Sequence, residues 1–101
     1  MRGRLPKTGQ YTGDGSNAVS VDLGFEAMMV LVYNETDGDV LALGVNGIAD
    51  GKGLKIVDSG SGTTDLSFMS SNGITIGKQG FKIGTDANLI ENAKVFRWIA
   101  F

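Results

Sequence analysis

The stretch MMVLVYNETDGDVLALGV, residues 28–45, decides how this chain folds. Met28 to Val32 is apolar at every position and runs on into Tyr33. A polar segment from Asn34 to Asp39 follows, and an apolar run resumes at Val40 and ends at Val45. Asp37-Gly38 between two such runs is a hairpin signal, because glycine enters the positive-φ conformations that tight turns need. A strand that is apolar at consecutive positions has no wet side. Residues 28–32, like Ile99 to Phe101 at the other end of the chain, must therefore be covered on both faces, by a second layer or by another subunit.

Working outward, short runs of the same kind recur at residues 9–12, 18–23, 54–57, 65–70, 74–76, 81–83 and 94–101. Gly, Asn or Asp interrupts nearly every longer window, so helical periodicity finds no room; only residues 86–92 could form a short helical turn. Strands spaced roughly eight to twelve residues apart, with turn signals between them, describe an all-β sandwich or barrel. Alternation is clearest in Val19, Val21 and Leu23 against Ser20 and Asp22, and in Leu66, Phe68 and Ser70 against Ser67 and Met69. Each of these runs is expected to turn its apolar side inward and its other side to water. The expected fold is all-β, a compact antiparallel β-sandwich of jelly-roll type over residues 9–101, preceded by an extended N-terminal arm over residues 1–8.

The composition narrows the chemistry. The 101 residues include 16 glycines, one proline, no cysteine and no histidine. Disulfides, thiolate metal sites and thiol nucleophiles are excluded together, and so are the commonest metal ligand and the commonest general base near neutral pH. No serine or lysine stands in a nucleophile motif, so no enzymatic activity and no cofactor are expected. Arg2, Arg4 and Lys7 place three basic residues in the first seven positions; from Thr8 onward six basic residues face eleven acidic ones, a net −5. A basic arm on an acidic body suits docking on an acidic neighbour, and three charges are too few for nucleic acid. No apolar run reaches the ~18 residues of a membrane span, and the N-terminus has no apolar stretch of secretory type, so a soluble chain made in the cytoplasm is expected.

Several motifs have a plain structural reading beside a functional one. Leu5-Pro6-Lys7-Thr8-Gly9 matches a sortase signal but has no membrane segment behind it; Pro6 instead biases Leu5 to an extended conformation. Asn34-Glu35-Thr36 matches a glycosylation acceptor, and without a secretory route it reads as a polar turn. Glu35, Asp37 and Asp39 could gather around Ca²⁺, but a twelfth-position glutamate is missing, and a solvated acidic turn is expected. The Gly-x-Gly pairs at 13–15, 51–53 and 60–62 do not run into Gly-Lys-Ser/Thr and are β turns.

Tyr11-Thr12-Gly13-Asp14-Gly15-Ser16, Val21-Asp22-Leu23-Gly24-Phe25, the apolar run from Met28, Gly80-Phe81-Lys82-Ile83-Gly84 and Phe96-Arg97-Trp98-Ile99-Ala100-Phe101 form an ordered set over nearly the whole chain. The set resembles the small β-sandwich domains of tailed-bacteriophage virion proteins, found in tail-fibre tips and head-associated accessory proteins. The ending Trp98-Ile99-Ala100 is also similar to that of trimeric H-type lectin sandwiches, over too short a span to carry a sugar site. The virion resemblance implies a structural protein of the phage particle, expected to be a capsid decoration protein that binds the major capsid protein or another virion protein and associates with itself as a homotrimer. The alternative it leaves is a tail-tip module that recognises a host glycan. In the preferred role Arg2, Arg4, Leu5 and Lys7 contact neighbouring subunits, and Met28, Val30, Val32, Phe96, Trp98 and Phe101 supply the subunit interface or the core.

Overall fold

The computed structural model describes residues 5–101. Eight strands form in chain order: β1 (Lys7–Thr12), β2 (Val19–Asp22), β3 (Met29–Asn34), β4 (Val40–Val45), β5 (Lys52–Asp58), β6 (Thr64–Ile76), β7 (Gly80–Ile83) and β8 (Val95–Ala100). All pair antiparallel in one sheet of order β1-β8-β3-β4-β5-β6-β7-β2. The all-β antiparallel architecture expected from strand spacing is the one that forms. β3 to β7 are successive hairpins; β8 returns to lie between β3 and β1, and β2 adds beside β7.

The sheet rolls over on itself, so its two ends become two layers around one core. Gly44 of β4 lies where a Cβ would stand 2.6 Å from Ile74 Cγ2 of β6, a separation only a glycine permits. Further round, the Trp98 indole of β8 meets the Phe81 ring of β7 edge-on, with centroids 5.2 Å apart. The core between the layers holds Val30 and Val32 from β3, Phe96, Trp98 and Ala100 from β8, and Ile74 and Ile83 from the opposite layer. Residues 86–92 form turns rather than a helix. Leu89 and Ile90 plug one end of the core, where the partly buried Tyr11 donates its hydroxyl to Leu89 O at 2.7 Å.

Two expectations change in detail. The runs at 65–70 and 74–76 belong to one strand: β6 pairs with β5 up to Gly53↔Met69, swings out over Ser70 to Gly73, and rejoins at Lys52↔Ile74. Asn72 makes that detour at φ 58°, a left-handed conformation asparagine tolerates. The second is a correction. Met69 is buried while Leu66 and Phe68 are 68% and 52% exposed, so the alternation in β6 is real but faces the opposite way from that expected. Beyond Gly53 and Met69 both faces of β6 are exposed, while β5 keeps Lys55 on Asp86 and Val57 against the core; the molecule measures 46 Å along its long axis against 23 Å across. β1 begins at Lys7, inside the segment expected to be arm.

Candidate interaction surface

The pleat that sends Val30, Val32, Ala42 and Gly44 inward sends their neighbours outward. β4 directs its small residues to the core, where the layers nearly touch, and leaves Leu41 and Leu43 on the outside. The backbone register aligns these outward residues into rows across five strands. One row runs Ile99, Leu31, Leu43, Leu54, Phe68 from β8 to β6; the next runs Arg97, Tyr33, Leu41, Ile56, Leu66. Between them lies an apolar depression of about 120 Å³ lined by Leu31, Leu41, Leu43, Leu54, Ile56 and Leu66. On β1 the rows end in Thr8 and Gln10, a polar rim.

Charge sits at the margins of the rows rather than in their middle. Lys52 precedes Leu54 on β5 and holds its Nζ 5.6 Å from the Phe68 ring, which places its charge on this face. Asp58 follows Ile56 and shares a surface hollow with Tyr33, Leu41 and Asp39. Neither Lys52 nor Asp58 is in an ion pair among the described residues. Arg97 is held by Glu35 at 2.6 Å, a charge-assisted hydrogen bond that raises the guanidinium pKa, and also donates to Gln10 Oε1.

The acidic turn after β3 is organised differently from the Glu35, Asp37, Asp39 grouping in the sequence. Glu35 turns to Arg97, while carboxylate oxygens of Asp37, Asp39 and Glu91 lie within 4.8 Å of one another. Lys94 Nζ stands 3.1 Å from Asp37, and that hydrogen bond raises the Lys94 pKa. Asn34 is fully buried and its Oδ1 accepts the Asp37 N–H at 2.8 Å, which removes it as a glycosylation acceptor. Asn34 Nδ2 and Asp39 Oδ1 are buried without a partner.

Val30, Val32, Phe96 and Trp98 are core, while Met28 and Phe101 are exposed beside each other, the Met28 N–H donating to Phe101 O. Lys7 donates to Leu23 O at 2.9 Å and thus helps bridge the seam between the two layers of its own chain. Leu5 is exposed; Arg2 and Arg4 lie outside the described residues. Sequence reading missed Leu41, Leu43, Leu54, Ile56, Leu66 and Phe68 as surface residues. The available signal was that Val40 to Leu43 is apolar at both parities, like residues 28–32.

No protein-family model matches the chain, nor does any curated protein or solved structure.

Proposed function

We propose that this protein is non-enzymatic and works by assembly, as a decoration protein of a tailed-bacteriophage head. The observation that carries the assembly part is the apolar outer face of β8, β3, β4, β5 and β6, with Leu66 and Phe68 of β6 more than half exposed. Contiguous apolar surface of this kind marks an interaction site. The phage part rests on the sequence resemblance. In this role Arg2, Arg4 and Leu5 reach neighbouring subunits, and Lys7, engaged with Leu23, stays with its own domain.

The geometry favours this over a glycan-binding tail tip. Sugar stacking needs presented aromatic faces beside polar groups, whereas Phe96 and Trp98 are interior, Tyr11 stacks on Phe96 at 5.2 Å, and the exposed Phe68 stands in a row of aliphatic residues with Lys52 over its ring. Virions purified from the source culture and probed with antibody to this chain test the role. Label on heads is expected; label confined to tails supports the glycan reading, and particles without label overturn both.

A further inference from the structure

We infer that the outer face is covered by a second copy of this chain, in a two-fold dimer whose facing β5 strands run antiparallel. This rests on reading that face as a docking surface and names its occupant. The first argument is area. At roughly 200 Å² for a fully exposed large apolar residue, the exposed parts of Tyr33, Leu41, Leu54, Ile56, Leu66 and Phe68 come to roughly 560 Å². Val45 and the half-buried Met29, Leu31, Leu43 and Ile99 bring the face to roughly 800 Å², the area that a specific, stable interface takes from each partner. That exceeds the ~300–600 Å² largest patch of a typical free monomer.

The second argument is symmetry. The described residues present one continuous apolar face of this extent, on a sheet, and a single face satisfies itself only in an isologous, two-fold contact. A three-fold ring would need two different complementary patches on each copy, so pairing replaces the trimer expected from sequence. Two sheets meeting this way form a sandwich about 10 Å thick with interleaved side chains.

The third argument is charge, and it sets the orientation. Outward residues of β5 read Lys52, Leu54, Ile56, Asp58, with opposite charges at the two ends. Turning one copy over about an axis that crosses the strands lays β5 on its counterpart with the rows inverted. The Ile99 to Phe68 row then lies on the Arg97 to Leu66 row, and Lys52 of each copy faces Asp58 of the other. An axis along the strands would instead set Glu35, Asp39 and Asp58 against their own kind, which is repulsive.

Sedimentation equilibrium of the full chain over 1–200 μM tests this, with urea unfolding of each variant as a check on folding. The wild type should sediment at twice the chain mass. Leu66→Glu, at a position already largely exposed, should weaken dimerisation at least a hundredfold while the monomer stays folded. Lys52→Asp and Asp58→Lys should each weaken it about tenfold or more, and the double variant should recover most of the loss. A wild-type monomer at 200 μM overturns the proposal, whether the face then takes another protein or a lipid surface. A trimer overturns it too, and a dimer that the double variant fails to restore overturns the orientation. A dimer of protein that labels no virion would sink the phage role and leave this inference standing.

Discussion

Gly9→Ala should be among the most damaging single-methyl additions in the protein, and the reason is one indole. Gly9 of β1 pairs directly with Trp98 of β8. A Cβ at Gly9 would stand 2.5 Å from Trp98 Cζ2 and 2.7 Å from Cε2, against the ~3.5–4.0 Å at which carbon atoms pack. The ring must move away from β1 by about 1 Å, toward the core, where it is already seated edge-on against Phe81, so the movement strains the aromatic contact between the two layers. Overpacking of this kind costs about 1–3 kcal/mol, and the lost aromatic contact about 0.5–1.5 kcal/mol. A total near 3 kcal/mol is expected, a large part of the ~5–15 kcal/mol that holds a small domain together. Urea unfolding at constant m-value measures it. The decisive comparison is made in a Trp98→Leu background, itself destabilised by a few kcal/mol because a buried aromatic is cut down. There the added methyl enters vacated space and should cost under about 1 kcal/mol, a coupling of at least ~2 kcal/mol between the two sites. If the two costs simply add, Gly9 is not present to seat the indole and the reasoning fails.

Ala93, at φ 65°, occupies a left-handed position that costs a non-glycine residue about 1–2 kcal/mol. Ala93→Gly should stabilise by roughly 0.5–1 kcal/mol after the entropy of glycine is counted, read as a melting temperature a few degrees higher. Asp86→Ala strips Lys55 Nζ of a carboxylate that it contacts at 2.8 and 3.0 Å in a mostly buried setting. A loss of about 2–3 kcal/mol is expected in urea unfolding, partly recovered by adding Lys55→Met. Asp14 accepts the Asn17 and Ser16 N–H groups, and these bonds lower its pKa. Its contribution to stability is therefore complete above the unfolded-state value near 3.8 and is lost as pH falls through the lower folded value. Carboxyl titration by NMR should place the midpoint below 3.8, and the stability gap between wild type and Asp14→Ala should close as pH falls below 3.8.

The strands were legible because each is a short apolar run bounded by Gly, Asn or Asp, and the hairpin joining β3 to β4 announced itself in Asp37-Gly38. Its turn is wider than the two-residue type such a pair suggests, with Gly38 at φ 69° donating to Asn34 O. What the pattern could not decide is which side of a strand faces in. Period two groups Leu66 with Phe68 and Ser67 with Met69, and is silent on which pair meets the core. That is settled by what lies beneath β6: Met69 sits under its detour in the core, whereas at Ser67 and Asp65 the inner side of β6 is open to water. Gly9 was equally unreadable, since the ring that requires it lies 89 residues away in sequence and directly opposite in the sheet. The Leu5 to Gly9 resemblance to a sortase signal thus contains a glycine whose place is explained by Trp98.

The same geometry favours the proposed association through the face over one through the strand edges. A rolled sheet that stays open has two edge strands, β1 and β2, and unpaired edges invite uncontrolled strand addition. Both are protected here. β2 is four residues long and ends in Asp22, whose Oδ1 accepts the Gly24 N–H as the chain turns away. β1 is preceded by Pro6, which has no N–H to offer a ladder, and starts at Lys7, whose ammonium is drawn across the seam to Leu23 O. No comparable device interrupts the outer rows from Leu31 to Phe68, where leucines stand outward on the same strand that sends alanine and glycine inward. A chain that blocks its edges and leaves a row of leucines with Ile56 and Phe68 on one outer face favours the geometry in which two such faces meet.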